Sequence, residues 1–303
     1  MPDALGVAWI EGHVVPIGEA RVPVTDRGFL FADSVFDTIR TYRSRPFLLG
    51  DHLDRLRSSA LAIDLAVPWS DSDLAGRILQ TVEQRGFPGE AAVRVIVTRG
   101  DGGFGLAVPE PTVPRLVVLC RPAPLGSPAR RAAGINLARP AEGRSKAGSV
   151  PSHVKSGAYL ANVLALHEGR ATGGFEALLT GEDGSWSEAT TSNLFAVFGS
   201  RVITPGPDAG ILPGITRALV MALCRSRGLR VEIRSLWDTD LEAADELFIT
   251  SSLKEVMAAV TLDHALVGAG VPGPVTRALQ AAFDQAVEDI AARDATRLVQ
   301  VFP

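Results

Sequence analysis

Short apolar runs separated by turns occupy the first fifty residues, as in VAWIEGHVVPIG, RVPVTDRG, SVFDTIRTY and RPFLLG. This alternation is typical of a small antiparallel sheet. The spacing then changes, because Leu53, Leu56, Leu61 and Ile63 recur at helical intervals after Asp51. The pattern predicts strands followed by a helix, with Asp51 as the helix N-cap.

A second helix is predicted from Ser70 or Ser72 to Gly86, and it is followed by two strands, AAVRVIVTRG and PRLVVLCRP. The next segment, RPAPLGSPARRAAG, is rich in Pro, Gly, Ala and Arg. Such a composition favours a connection between domains. We therefore predict a small N-terminal α/β domain over residues 1–120 and an interdomain linker over residues 121–134.

The remainder, residues 135–303, mixes helical and strand patterns. SGAYLANVLALHEGRATGG is predicted as a helix beginning near Gly157, and a β-meander follows through SWSEATTSNLFAVF. GITRALVMALCRSRG predicts another helix, RVEIRSL and ELFITSS predict strands, and PVTRALQAAFDQAVEDIAARD predicts an amphipathic final helix. The whole is an α+β protein, with a large C-terminal domain after the linker.

Composition and charge exclude some classes of function. The net charge of -4 gives no electrostatic reason to expect nucleic acid or an anionic membrane as a partner. No stretch approaches the roughly 20 apolar residues that a membrane span needs, and the start does not resemble a signal peptide. Cys120 and Cys224 lie in apolar runs that are typical of reduced core cysteines. A cytoplasmic protein is expected.

Only three lysines, Lys146, Lys155 and Lys254, could supply an amine nucleophile. Lys146 lies in a Gly/Ser/Pro loop, and Lys254 precedes Glu255, which favours a surface ion pair. Lys155 lies where the loop VPSH passes into a predicted helix. A rigid scaffold can hold a reactive amine at such a junction, so Lys155 is the candidate for amine chemistry.

One chemistry that uses a lysine amine is that of pyridoxal phosphate, which needs in addition a carboxylate and a site for an anion. Glu188 is flanked by small and hydroxylated residues in SWSEATTSNLF, although a glutamate on a surface strand would give the same pattern. GILPGITRALV supplies a turn into a helix, where the N–H groups of Ile215 and Thr216 could bind phosphate. ITSS adds hydroxyl groups, and Arg55 could add positive charge.

Six blocks in order strengthen these separate hypotheses: TDRGFLFADSVFDTIRTY, RPFLLGDHLDRL, VKSGAYLANVLA, SEATTSNLF, ILPGITR and ELFITSSLKEV. Together they resemble the class IV pyridoxal-phosphate enzymes, which include branched-chain and D-amino-acid aminotransferases and aminodeoxychorismate lyases. The resemblance implies the type IV fold and pyridoxal 5'-phosphate as cofactor, held as a Schiff base on Lys155, which also shuttles the proton. It implies no metal. The other cofactor-binding residues that it implies are Arg55, Tyr159, Glu188, Thr191, Ile215, Thr216 and Ser252.

The resemblance also implies the reaction, a ping-pong transfer of an amino group between an amino acid and a 2-oxo acid. The lyase reaction, which eliminates pyruvate from aminodeoxychorismate, is the alternative. A homodimer with the active site at its interface is expected.

The residues expected at the substrate combine features of several branches. Phe104 is apolar, as in the branched-chain enzymes, and Arg94 lies where those enzymes place an arginine for a carboxylate. Thr38 replaces their usual glycine, and the lysine-to-Tyr159 spacing matches the D-amino-acid and lyase branches. The substrate-pocket residues predicted on this basis are Phe31, Phe36, Thr38, Arg94 and Phe104.

Two alternatives from other classes are disfavoured. Gly100-Asp-Gly-Gly-Phe-Gly105 formally matches the dinucleotide-binding pattern GxGxxG, but a helix must follow the glycines. LAVPEPTVPRL contains three prolines instead and cannot form that helix. A non-catalytic relative is disfavoured because Lys155, Glu188 and Arg55 are all present.

Overall fold

The computed structural model describes residues 5–108, 110–124, 128–140 and 150–302. Contacts within the chain divide it into two compact units. The first consists of Met1–Pro124, Val154–Ala158 and Asp289–Pro303, and the second of Leu125–His153 and Tyr159–Glu288. The boundary that we expect at 121–134 stays a prediction. Its residues 125–127 lie outside the described part, as does Lys146, while Pro128–Ala133 is helical.

The first unit contains a six-stranded antiparallel sheet in the order β2-β1-β6-β5-β3-β4. Its elements are β1 (Val7–Ile10), β2 (His13–Pro16), α1 (Arg27–Phe31), β3 (Ser34–Tyr42), β4 (Arg45–Pro46), α2 (Leu49–Leu61), α3 (Asp71–Glu83), β5 (Ala91–Thr98) and β6 (Arg115–Pro122). Strand β5 alternates buried apolar residues with more exposed ones, and it pairs antiparallel with β6 along its whole length, which confirms the two predicted strands.

The start of α2 differs from the sequence prediction. Helix α2 begins at Leu49, after Leu48 in the left-handed conformation, so Asp51 lies in the first turn and is not the N-cap. The Asp51 carboxylate instead accepts a hydrogen bond of 2.6 Å from the backbone N–H of Leu298. The N–H of Gly50 likewise donates to the carbonyl of Thr296. The C-terminal tail thus contacts this helix end, and a local pattern cannot reveal that.

Helix α3 agrees with the prediction at its start. Ser70 is the N-cap and forms a reciprocal capping box with Asp73. Helix α3 ends at Glu83, three residues before Gly86.

The segment Val154–Ala158 lies alongside β3. Phe36 donates its N–H to the carbonyl of Lys155 (2.9 Å), and Gly157 donates to the carbonyl of Ser34 (2.8 Å). A side chain at Gly157 would meet Ser34 Oγ at 2.4 Å, so only glycine fits this close approach. Because Gly157 is used in this pairing, the following helix begins only at Leu160.

The second unit contains a nine-stranded sheet in the order β12-β11-β10-β13-β14-β7-β8-β9, with β15 paired to β14. Strand β9 also pairs with β10, so six of these strands close into a ring. The elements are α4 (Pro128–Ala133), β7 (Ile135–Ala138), α5 (Leu160–Ala171), β8 (Glu176–Thr180), β9 (Trp186–Ala189), β10 (Ser192–Phe198), β11 (Arg201–Thr204), α6 (Ile215–Ser226), β12 (Arg230–Ile233), α7 (Asp238–Ala243), β13 (Glu246–Ser251), β14 (Glu255–Leu262), β15 (Ala265–Leu266) and α8 (Pro274–Arg293).

Strands β8–β11 form the predicted β-meander, and α8 is the predicted final helix. Buried side chains, among them Leu194, Ile249 and Met257, form a core on one face of the sheet. Phe195 and Phe248 alternate with these residues and lie on the opposite face, where their rings stack at 4.6 Å. The mixture of helices with antiparallel and parallel strand pairs confirms the α+β class. Among the described residues, no helix is both long enough and apolar enough to cross a membrane.

Candidate active site

Lys155 is held by its backbone in the first unit. Its N–H donates to Ser59 Oγ on α2 at 3.1 Å, and its carbonyl accepts from Phe36 on β3. The lysine Nζ lies 4.5 Å from the centroid of the Phe36 ring. Main-chain hydrogen bonds therefore fix the base of this side chain, and an aromatic face contacts its amine.

The same aromatic ring contacts Arg94. The Arg94 guanidinium carbon lies 4.6 Å from the Phe36 centroid, and Arg94 Nε donates a long hydrogen bond (3.4 Å) to Thr38 Oγ1. Thr38 and Arg94 are directly opposed in the β3–β5 register. Four predicted residues, Lys155, Phe36, Thr38 and Arg94, are thus brought together on one sheet.

The other two predicted substrate residues lie elsewhere in this unit. Phe31 ends α1 and has the Arg27 guanidinium 5.0 Å from its ring centroid. Phe104 lies in the loop after β5 and is 85% exposed. Arg27 also donates to the carbonyl of Gly105, so it connects this loop to α1.

Arg55 forms a buried ion pair that was not expected from the sequence. Its Nε and Nη2 each donate to a different oxygen of Asp37, at 2.8 and 2.7 Å, and His52 Nδ1 lies 2.8 Å from the same carboxylate. Burial alone would raise the pKa of Asp37, but the charges of Arg55 and His52 hold it well below its usual range. Burial lowers the pKa of His52, and Asp37 opposes that shift.

Asp37 therefore orients the guanidinium plane of Arg55. The sequence SVFDTIRTY did indicate that Asp37 has a partner, because an acid in an otherwise buried strand requires one.

In the second unit, Glu188 is a buried carboxylate on β9, with 5% of its surface exposed. Its Oε2 accepts from Asn193 Nδ2 (2.9 Å) and from the backbone N–H of Leu212 (3.1 Å). Asn193 also donates to the carbonyl of Leu212. The surface-strand alternative for Glu188 is therefore wrong, because this carboxylate is buried and held by two donors.

Thr250 lies in the same cross-strand row as Glu188. Glu188 opposes Asn193, and Asn193 opposes Thr250, so the three side chains share one face of the sheet. Thr250 Oγ1 is buried and has no hydrogen-bond partner within the described residues. The hydroxyl run at 249–252 is visible in the sequence, but only the strand register places Thr250 beside Asn193.

The N-terminus of α6 has the character of an anion site. Gly214 precedes Ile215 with no side-chain cap, the first turn contains no acidic residue, and Thr216 is buried. The helix dipole favours negative charge at such an end. A Cβ at Gly214 would meet Asn193 Oδ1 at 1.9 Å, so the backbone here packs directly against the partner of Glu188.

The remaining predicted residues lie at turns of this unit. Tyr159 is the N-cap of α5, Thr191 lies in the β9–β10 turn, and Ser252 follows β13. Lys254 is also in the β13–β14 turn, and it pairs with buried Glu176. The expected surface ion pair of Lys254 is therefore wrong, because its partner carboxylate is only 2% exposed.

Each unit by itself offers groups of the types that a phosphorylated pyridine aldehyde requires. The first unit has an amine and an arginine. The second has a buried carboxylate, a helix N-terminus with no side-chain cap, and a buried hydroxyl with no partner among the described residues. Thr250 Oγ1 in particular is a buried polar atom that a bound group would satisfy.

Known proteins agree with this chemistry. Residues 34–261 match the family Amino-transferase class IV. The chain is 30% identical over 282 residues to the branched-chain-amino-acid aminotransferase of Salmonella typhimurium, covering 91% of each chain. It is 29% identical over 286 residues to the D-alanine aminotransferase of Bacillus licheniformis, covering 91% of this chain and 95% of that one.

The branched-chain amino acid aminotransferase from Thermobaculum terrenum, solved in its PLP-form, superposes with a TM-score of 0.83 at 26% identity. The match covers 94% of this chain and 94% of that one. The chain belongs to the class IV aminotransferases. This confirms the resemblance, the type IV fold, and pyridoxal-phosphate-dependent transamination as the activity of the family to which it belongs.

Proposed function

We propose that this chain moves an amino group between a branched-chain or D-amino acid and a 2-oxo acid by a ping-pong mechanism. The observation that carries the proposal is the buried Glu188 carboxylate, which is positioned by hydrogen bonds from Asn193 and the Leu212 N–H. The relatives above are transaminases by name, one for branched-chain amino acids and one for D-alanine, and this favours transamination over the lyase reaction.

Pyridoxal phosphate, when bound, supplies a conjugated ring that accepts the electron pair left on the substrate carbon. Lys155 contributes the amine that holds the cofactor and moves the proton at the substrate carbon. Glu188 holds a proton on the pyridine nitrogen, because a buried anion stabilises the protonated ring. Tyr159 and Thr191 are assigned to the cofactor's polar substituents.

The phosphate is assigned to four groups of complementary charge or hydrogen-bonding type. Ile215 and Thr216 offer N–H groups at the start of α6, Ser252 offers a hydroxyl, and Arg55 offers positive charge in a plane set by Asp37.

The substrate is assigned to Arg94, Thr38 and apolar neighbours. Arg94 is exposed and stacks on Phe36, so it can bind a carboxylate while the ring contacts an aliphatic side chain. Phe31 and Phe104 complete the proposed apolar set, in which no tyrosine hydroxyl is present.

We propose a homodimer with the active site at its interface, located in the cytoplasm. In the first unit, large apolar side chains are exposed on α1 and on the loop after β5, which Arg27 connects. They include Phe29 (71% exposed), Phe104 (85%) and Leu106 (80%). Clusters of this kind mark association surfaces.

The first test is the visible absorbance of the purified protein, before and after adding D-alanine, L-leucine, (R)-phenylethylamine or aminodeoxychorismate singly. We expect the band of a lysine-bound cofactor in the wild type and its absence in Lys155→Ala. The donor that bleaches the band identifies the substrate class. Turnover of aminodeoxychorismate without bleaching would establish the lyase alternative, and no band after soaking in pyridoxal phosphate would refute the assignment.

A further inference from the structure

Glu176 is a buried carboxylate, 2% exposed, for which the proposed chemistry has no role. It begins β8, and its two oxygens accept hydrogen bonds from the turn between β9 and β10. Thr190 Oγ1 (3.0 Å), the Thr191 N–H (3.0 Å), Thr191 Oγ1 (2.5 Å) and Ser192 Oγ (3.1 Å) all donate to it. One carboxylate thus fixes the whole turn that connects the strand of Glu188 to the strand of Asn193.

Lys254 connects the same carboxylate to a second turn. Its Nζ forms an ion pair with Glu176 Oε1 and donates to Thr191 Oγ1 at 2.5 Å, while its backbone N–H donates to Ser251 Oγ. Lys254 lies two residues after Ser252 in the β13–β14 turn. The β9–β10 and β13–β14 turns are therefore joined through a single ion pair.

The surroundings of Glu176 favour its ionised form. Burial would raise the pKa of Glu176, but the positive charge of Lys254 and the hydrogen bonds from Thr191 lower it. Lys254 is itself only 23% exposed. A buried carboxylate without its counter-ion is costly, so the geometry of the two turns depends on the pair being intact.

We propose that Glu176 and Lys254 are positioning residues that hold the two turns, and with them Thr191 and Ser252, in the arrangement that binds the cofactor. This inference rests on the proposed function. Neither residue takes part in a chemical step. The ion pair controls how tightly pyridoxal phosphate is bound, beyond any contribution to the stability of the fold.

The test compares Lys254→Met, which removes the charge, with Lys254→Arg, which retains it. Pyridoxal phosphate is titrated into cofactor-free protein, and unfolding of the same cofactor-free samples is followed in urea. We expect Lys254→Met to raise the Kd for pyridoxal phosphate about tenfold or more, because a small displacement of positioning groups is costly. Lys254→Arg should stay within about threefold of the wild type, since it keeps the charge.

Arg139→Met is the matched control. Arg139 is in the same unit, is 29% exposed, and donates to the carboxylates of Asp263 and Asp238 at 2.6 and 2.7 Å, neither of which is a proposed cofactor residue. Its loss should leave the Kd within about twofold of the wild type, because its ion pairs are partly exposed and lie away from the two turns. If Lys254→Met and Arg139→Met weaken binding equally, or if Lys254→Met binds like the wild type, the inference is wrong.

The double variant Glu176→Gln/Lys254→Met covers the case in which Lys254→Met does not fold, because it leaves no lone buried charge. We expect it to fold and to bind pyridoxal phosphate more weakly than the wild type. Wild-type affinity in this variant would overturn the inference while leaving the proposed function intact. Failure of the wild type itself to bind pyridoxal phosphate would instead refute the proposed function, and the inference with it.

Discussion

Replacing Asp37 by Asn tests the buried ion pair between Asp37 and Arg55, the arginine assigned to the phosphate. Asp37 is 1% exposed and Arg55 is 10% exposed, so neither charge is compensated by water. Asn keeps the shape but offers one acceptor oxygen where Arg55 now has two. Breaking a buried pair from one side typically costs about 3–5 kcal/mol, because the remaining charge stays buried. In a unit of this size that corresponds to a fall in Tm of roughly 10 °C.

The assay is urea and thermal unfolding of cofactor-free protein, since a bound ligand would add its own stabilisation. Asp294→Asn serves as the control, because its pair with Arg45 is 77% and 63% exposed and should contribute under about 1 kcal/mol.

A dependence on pH must accompany this loss. The pKa of Asp37 is depressed in the folded state, so its contribution is complete above the unfolded pKa of about 3.9. That contribution is lost as the pH falls from there through the folded pKa. The difference in stability between wild type and Asp37→Asn should therefore narrow progressively below about pH 4. A difference at pH 7 under about 1 kcal/mol, or one that stays constant down to pH 3, would refute the reasoning.

Three further substitutions test the second unit. Gly214→Ala should prevent correct entry into α6 and weaken pyridoxal phosphate binding by about tenfold or more, measured by titration, because the new Cβ would overlap Asn193 Oδ1. Thr250→Val should leave the stability of cofactor-free protein within about 1 kcal/mol but weaken cofactor binding. Thr276→Val also removes a buried hydroxyl that has no partner in the described part of the chain, and it should leave binding unchanged. Equal Kd values for the two variants would exclude Thr250 from the site. Glu188→Gln should lower kcat by about 10²–10³-fold in a steady-state transaminase assay, as for loss of one preorganised electrostatic group, and a kcat within about threefold of wild type would contradict its role.

Features encoded within a few residues were predictable from the sequence. The start of α3 at Ser70, the strands β5 and β6 and the amphipathic helix α8 each depend on neighbours within a few positions or on simple periodicity. The blocks around Lys155 and Glu188 were recognisable for the same reason, because each is a short continuous segment.

Features that depend on distant partners were not predictable. The N-terminus of α2 is completed by Leu298, almost 250 residues later, so Asp51 was wrongly expected to cap it. Lys254 was expected to pair at the surface beside its neighbour Glu255, yet its partner Glu176 lies 78 positions earlier in the chain (254 − 176). Likewise, only the packing of α2 on β3 brings Arg55 to Asp37. Sequence patterns reveal which residues are buried, while the fold determines which of them meet.

The discontinuous first unit has a consequence for how this protein is made. Its sheet is complete by Pro122, but the Lys155 segment is synthesised later, and the tail that contacts α2 later still. During translation at about 5–20 residues per second, the part of β3 that receives Lys155 is exposed until the middle of the chain emerges. The helix that bears Arg55 acquires its partners at Asp51 and Gly50 only when residues 296–298 emerge. The segments that bear the proposed cofactor lysine and the proposed phosphate arginine thus acquire their contacts at different stages of synthesis. Well over a hundred residues must be synthesised after the lysine before the first unit is complete.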